Sequence, residues 1–474
     1  MNRDNVLKQL SVNDADIVAR VDELVGAGAT NEKFCVDLIE SEITNGKLNK
    51  RPKKIRCELL DKINYMCRKY MDRMERLEFT YDFIVDEESY KTAVMGLLEK
   101  AYVFRSKVVY SPISPYWKPM PYHIDEVVTS SEEEPTIERK DAFFTQEIPA
   151  DNNTQLKMHL FYHEGKTTVC YLVSHMCVDG TGYFTYVAHI CSNYTKLVQN
   201  GVSPIDYSQG PRDFDQVYSD FPKEKRKKAK ALFTNPASKV KNIFPYTPAS
   251  KEDKPILTRK KISGEVFNPA LAVAKKAGCS GNDLLITAYM CAYKKLSGIS
   301  GNDTVNVTTA VDLRRYIKDP SKLGYTNEVS FINCTVDKVG ETPLQTLEAV
   351  KQAGQKYKND EFMGLYGVPL LDFAYKSMVY AQAEPIIKMC YSNPSLSVSN
   401  LGVVKTQLLS MDGNEPLDMY ASGAAKRKPC AVATIGSFKG DLCISISFFG
   451  TEEDRKIVTE FYDEFEKAII EIAK

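Results

Sequence analysis

The sequence has no surplus of charge: 62 lysines and arginines face 62 aspartates and glutamates over 474 residues. No global field concentrates such a chain on nucleic acid or an anionic membrane, so any polyanion contact has to be local. Long hydrophobic runs are also missing. The opening MNRDNVLKQL has no apolar core that could serve as a secretory signal, and no later stretch could cross a bilayer. A cytoplasmic protein without a transmembrane segment is expected. Twelve cysteines run from Cys35 to Cys443 without one CxxC pair, many inside apolar runs such as VCYLV. That usage suits buried reduced thiols and speaks against a disulfide framework or zinc site, so no metal is expected. Histidine is scarce, at five, and tryptophan occurs once, as Trp117.

What is present is an ordinary globular composition, 43% hydrophobic, 10% aromatic and 26% charged, which excludes extensive disorder and coiled coil. The length exceeds one hydrophobic core and favours two or three domains, which a two-lobed chain satisfies. Residues 1–73 read as a polar helical extension ending in a basic stretch with Lys50, Arg51, Lys53, Lys54 and Arg56. Residues 74–205 form the first lobe. Leu77, Phe79, Tyr81, Phe83 and Val85 have strand period, Tyr90 to Ala101 has helical spacing, and FRSKVVY reads as a strand, giving a β-α-β opening. LKMHLFYH and TTVCYLVSH form a hairpin across Glu164-Gly165-Lys166, and YFTYVAHICSNYTKLV a helix.

Residues 206–258 are Pro-rich and charged, and read as a crossover linker. Their PKEKRKKAK cluster suits a solvated helix face or contact with an acidic protein or a phosphate-bearing ligand. Residues 259–474 form the second lobe. A helix through NDLLITAYMCAYKKL is followed by a strand through TVNVTTAV, a late hairpin across Lys439-Gly440-Asp441, and a final helix with box-like spacing from Thr451 to Asp454.

Five histidines make the search for a base short. His123, His159, His163 and His189 have structural explanations in a loop, a hairpin and a helix. His175 differs: it ends a buried strand, precedes a glycine-rich break and has a carboxylate, Asp179, four residues on. Cys177 as a nucleophile with His175 as its base is a rival, although two positions of separation are awkward for contact.

The segment LVSHMCVDGTGYF resembles the HxxxDG core of the coenzyme A dependent acyltransferase superfamily, which includes chloramphenicol acetyltransferase, BAHD enzymes and condensation domains. TAVDLRRYIKDPSKLGYTN, residues 309–327, resembles the BAHD segment with Asp-x-Arg. GCSGNDLLITAY and LSVSNLGVV resemble a helix start and a channel strand of condensation-like enzymes; read without the resemblance, Asn282 is a helix cap. The resemblance implies a mixed α/β (α+β) fold of two chloramphenicol acetyltransferase-like lobes, each a mixed sheet flanked by helices, with a channel between them.

The resemblance also implies roles. His175 is the base, Gly180 completes the motif, and Asp179 is a structural acid paired with Arg314, chosen over Arg315 by register. Ser399 and Asn400 are oxyanion or channel candidates. The donor is an acyl thioester, on coenzyme A or on the phosphopantetheine of an acyl carrier protein, and no cofactor is held permanently. The acceptor is a small alcohol or amine, with O-acyl transfer preferred, and the protein is expected to be a monomer. Ser174 stands where condensation domains carry a first histidine, and the Asp-Phe-Gly-Trp-Gly motif of plant BAHD enzymes is absent, so a microbial alcohol acetyltransferase-like branch fits best. The alternatives are a condensation-type amide-bond former and an inactive acyltransferase fold that binds a ligand or partner.

Overall fold

The structure, a computed structural model, describes the chain apart from residues 12–13, 49, 202–209, 235–239, 241, 301–302 and 391–394. Parts of the expected crossover linker, 206–209, 235–239 and 241, therefore lie outside the described residues.

Asn2, Asp14 and Asn31 accept first-turn N–H groups and so start helices α1 (Arg3–Leu10), α2 (Ala15–Gly26) and α3 (Glu32–Thr44). The basic stretch after them is not helical. It contributes a short strand, β1 (Ile55–Arg56), before α4 (Leu59–Met66). These segments share one core with the first lobe: Val6, Val21, Phe34 and Ile39 are buried in the same cluster as Phe79, Tyr171 and Tyr186. Charge locks the junction as well. Fully buried Arg20 on α2 donates to Glu42 at 2.8 Å and to Glu99 at 2.6 Å. Burial would push the Glu99 carboxyl up, but Arg105 and Arg20 outweigh it and hold the group at about 2.

Strand β2 (Met74–Tyr81) and helix α5 (Glu87–Leu98) follow, as their periodicities indicate. The next strand does not return to β2. Instead β3 (Ser106–Val109) pairs with β4 (Tyr116–Pro119), which also pairs with β1, so the expected β-α-β opening is replaced by a small separate sheet. The local antiparallel partner, only a few residues away, wins over the distant one. Trp117 on β4 is fully buried and donates from Nε1 to Asp61 Oδ2 at 2.9 Å, a packing role.

After α6 (Ile124–Val127), β5 (Val128–Ser131) and α7 (Ile137–Phe144) comes the hairpin of β6 (Leu156–His163) and β7 (Lys166–Ser174). Its two turn residues, Glu164 and Gly165, take φ of 48° and 74°, the left-handed pair that a tight hairpin requires. β7 lies between β6 and β2 and delivers its C-terminal end to helix α8 (Gly180–Asn200).

The second half opens with the basic helix α9 (Lys223–Ala229). Strand β8 (Lys254–Ile262) begins inside the stretch expected to be linker and pairs antiparallel with a strand near the C-terminus. Helices α10 (Gly264–Lys276) and α11 (Gly281–Ser297) come next. Ser280, not Asn282, caps α11, through a capping box with Asp283. The Ser280 backbone is extended and its hydroxyl reaches the Asp283 N–H, whereas Asn282 already lies within the first turn.

Strands β9 (Val305–Asp312) and β10 (Val329–Val336) and helices α12 (Pro343–Lys358), α13 (Val368–Ser377) and α14 (Tyr380–Cys390) lead to β11 (Leu396–Val403). Strand β12 (Asp418–Ser422) then leaves this lobe and pairs antiparallel with β2 of the first lobe, extending that sheet. The chain returns through β13 (Lys426–Arg427) and the hairpin of β14 (Ala431–Phe438) and β15 (Asp441–Gly450) to α15 (Glu452–Ala473). The second sheet runs β10-β9-β11-β14-β15, with β8 and β13 against β15. The fold is thus mixed α/β in two lobes, with one strand exchanged between them. No described helix is long and apolar enough to cross a membrane.

Candidate active site

β7 is buried along almost all of its length, and it ends by handing His175 to the seam between the lobes. Three segments pin the backbone there. The His175 N–H donates to Arg73 O at 2.7 Å, while His175 O accepts from Asn64 Nδ2 at 3.2 Å and Asn327 Nδ2 at 3.0 Å. Arg73 reaches its position with a φ of 62°, a left-handed conformation unusual for a non-glycine residue.

The imidazole is fixed as firmly. Asn327 Nδ2 also donates to Met176 O at 3.3 Å, so its carbonyl oxygen is the atom turned toward the ring. Nδ1 of His175 lies 3.1 Å from that Oδ1 and 3.0 Å from Val178 O. Two acceptors on one nitrogen require it to carry the hydrogen, which leaves the lone pair of the neutral ring on Nε2.

Asp179 faces away from this ring edge. It caps α8 by accepting the Gly182 N–H at 2.9 Å, and its other oxygen accepts from Arg314 Nη1 at 2.9 Å and from the Glu328 N–H at 2.6 Å. Burial alone would raise the Asp179 carboxyl, but the Arg314 guanidinium and these N–H donors outweigh it and hold the group below the usual range. Arg314 also donates to Thr326 O at 3.0 Å, whereas Arg315 turns to Met363 Sδ at 3.6 Å. The motif is packed without slack: a Cβ on Gly182 would stand 2.3 Å from the Val178 side chain. Gly180 opens α8 against Leu401.

Two adjoining cavities, of about 990 and 140 Å³, lie between the lobes and share Asp179, Gly180, Phe184, Ser399 and Leu401 in their walls. His175 lines the smaller one and His189 the larger. Ser399 and Asn400 sit on β11 of the second lobe beside a register shift in its pairing with β14. Both line the larger cavity, and Asn400 Nδ2 lies 3.4 Å from Asn282 Oδ1. Cys177 lies outside this group, fully buried with Sγ toward Val103 O at 3.8 Å. Burial pushes its thiol well up, which removes the thiolate that a nucleophile needs.

Three residues were not singled out from sequence. Asn327 closes the 309–327 segment, whose resemblance assigns it no role. Arg212, in the expected linker, is buried against Asp61 and donates to Cys177 O at 3.1 Å, bracing the motif loop from behind. Glu75 on β2 lines the His175 cavity, with Oε1 3.3 Å from His175 Nε2 and Oε2 buried without a hydrogen-bond partner among the described residues. Burial pushes its carboxyl up to about 7, with His175 opposing and Asp179 adding to the rise. Its signal in the sequence was register: Glu75 falls on the same face as Leu77, Phe79 and Tyr81, a carboxylate in an apolar stripe.

No family model matches the chain, and no curated protein does. Solved structures do. Over 89% of this chain and 96% of the other, it is similar to the first condensation domain of the calcium-dependent antibiotic synthetase, with a TM-score of 0.66 and 13% identity. It is similar over 88% of its length and 95% of the other to the trichothecene 15-O-acetyltransferase of Fusarium sporotrichioides, with a TM-score of 0.65 and 11% identity. Polyketide synthase associated protein 5 of Mycobacterium tuberculosis matches over 88% of this chain and 99% of its own, with a TM-score of 0.61 and 14% identity. The chain therefore has the two-lobed fold of condensation domains and chloramphenicol acetyltransferase-like acyltransferases.

Proposed function

We propose that this chain is an acyltransferase that moves an acyl group from a thioester to an alcohol, or in second place an amine, with His175 as general base. The observation that supports this most is the ring tautomer. With Nδ1 held as N–H between Val178 and Asn327, the basic lone pair is on Nε2, beside a cavity walled by both lobes. A hydroxyl seated there gives its proton to Nε2 as its oxygen attacks the thioester carbonyl. The C–O bond forms, the C–S bond breaks, and no covalent enzyme intermediate is needed, because holding two substrates in line removes much of the entropic barrier. An alcohol is preferred because an alkyl amine is protonated at neutral pH and has to be discharged before it can attack.

Asp179 and Arg314 brace the loop that presents His175, with Gly180 starting the helix behind it. Ser399 and Asn400, on the wall contributed by the second lobe, are the donors proposed for the oxyanion. The proposed donor is acyl-coenzyme A, with acyl-phosphopantetheine on a carrier protein as the alternative. Thiol release from acetyl- and longer acyl-coenzyme A with a panel of alcohols and amines tests the reading. Acceptor-dependent release that is lost in His175→Ala is expected, and equal release by wild type and variant would remove His175 as base.

A further inference from the structure

The fixed tautomer of His175 creates a proton-counting problem at its other nitrogen. Nε2 faces Glu75 Oε1 at 3.3 Å. A neutral imidazole presents a lone pair there and a carboxylate presents another, so the contact is favourable only when one proton lies between the two atoms. Among the described residues no lysine or arginine pairs with Glu75. Its buried Oε2 has no hydrogen-bond partner among the described residues, and neither has the buried hydroxyl of Tyr183, which lines the same cavity. The titratable groups whose charge acts on Glu75 are His175 just after β7, Asp179 at the cap of α8 and Tyr183 within α8; Lys426 on β13 lines the same cavity. Asp179 is already engaged by Arg314.

We infer that Glu75 is a second catalytic acid–base group, which shares the Nε2 proton with His175 and protonates the departing thiolate. The inference rests on the acyltransfer reading above and completes its proton path. At rest, His175 is neutral and Glu75 holds the proton. The acceptor O–H gives its proton to Nε2 while its oxygen bonds to the acyl carbon. As the C–S bond breaks, the sulfur takes the electron pair and receives the proton of Glu75. The imidazolium then returns its Nε2 proton to the Glu75 carboxylate, and ester, thiol and the resting pair remain. The direction is downhill, because a thiolate whose thiol has a pKa of about 8.5 is a stronger base than the carboxylate of a carboxyl held near 7.

Glu75→Gln tests this, since it keeps size and a neutral donor toward Nε2 while removing the transferable proton. The measurement is kcat/KM against pH for wild type and Glu75→Gln with two acetyl thioesters, one of N-acetylcysteamine and one of the more acidic thiophenol. With the alkyl thioester the variant should lose roughly 10²-fold, the scale of one general acid, and should lack the alkaline limb of the wild-type profile. With the aryl thioester, whose leaving group needs no proton, the loss should shrink to less than about 3-fold. Equal losses with both donors, or an alkaline limb kept in the variant, would overturn the role of Glu75. His175→Ala run alongside separates the two proposals. If it is inactive while Glu75→Gln shows no donor dependence, only the Glu75 inference falls. If it matches wild type, both fall.

Discussion

The loop carrying His175 is flanked by two buried carboxyls with opposite fates. Asp179 meets a guanidinium and two backbone N–H groups, and its carboxyl is held low. Glu75, on the other side of the ring, meets the imidazole and, among the described residues, no guanidinium or ammonium group, and its carboxyl is pushed up to about 7. Burial is common to both, so the partner decides the outcome. A paired acid is a fastener, whereas an unpaired one at hydrogen-bond reach of a histidine is a proton store.

The largest expected break of this contrast is Arg314→Met, which leaves Asp179 buried without its counter-charge. It should destabilise the fold by about 3–5 kcal/mol in a denaturant titration, and Asp179→Asn in the same chain should recover much of that. Glu75→Gln should act in the opposite direction and depend on pH. A carboxyl raised from 4.5 to about 7 favours the folded state fully below 4.5, and that advantage is lost as pH rises through 7. The variant, neutral throughout, should therefore gain on wild type by up to roughly 3 kcal/mol at pH 8 and by little at pH 4, read from thermal unfolding. Asn327→Ala should lower kcat by about 10-fold with KM little changed, because the ring loses one of two acceptors that fix its tautomer. The smallest effect belongs to Arg315→Met, which touches neither carboxyl and should stay within about 0.5 kcal/mol of wild type.

Legibility in the sequence followed how local each signal was. The β6–β7 and β14–β15 hairpins were readable because strand period and a Gly-containing turn lie within one window, and the Thr451–Asp454 box marked the start of α15 for the same reason. Asp179 and Arg314 stand 135 positions apart, and only the resemblance linked them. Glu75 was passed over because a single charge at a strand start reads as solvated, although Arg76 and Glu78 beside it are buried too. Such a strand is covered on both faces, which alternation alone does not disclose. FRSKVVY reads as the strand that forms β3, but its sheet was missed because β1 and β4 carry too few residues for a period, and β12 because its partner lies more than 300 positions upstream.

That last pairing has a consequence for how the protein is made. β2 leaves the ribosome with one edge matched to β7, but the strand that covers its other edge is translated roughly 340 residues later. At about 5–20 residues per second, the nascent first lobe carries a bare strand edge for tens of seconds. Arg76 and Glu78 on β2 are then temporarily exposed charges on an open edge, the kind of residue that discourages pairing with other chains.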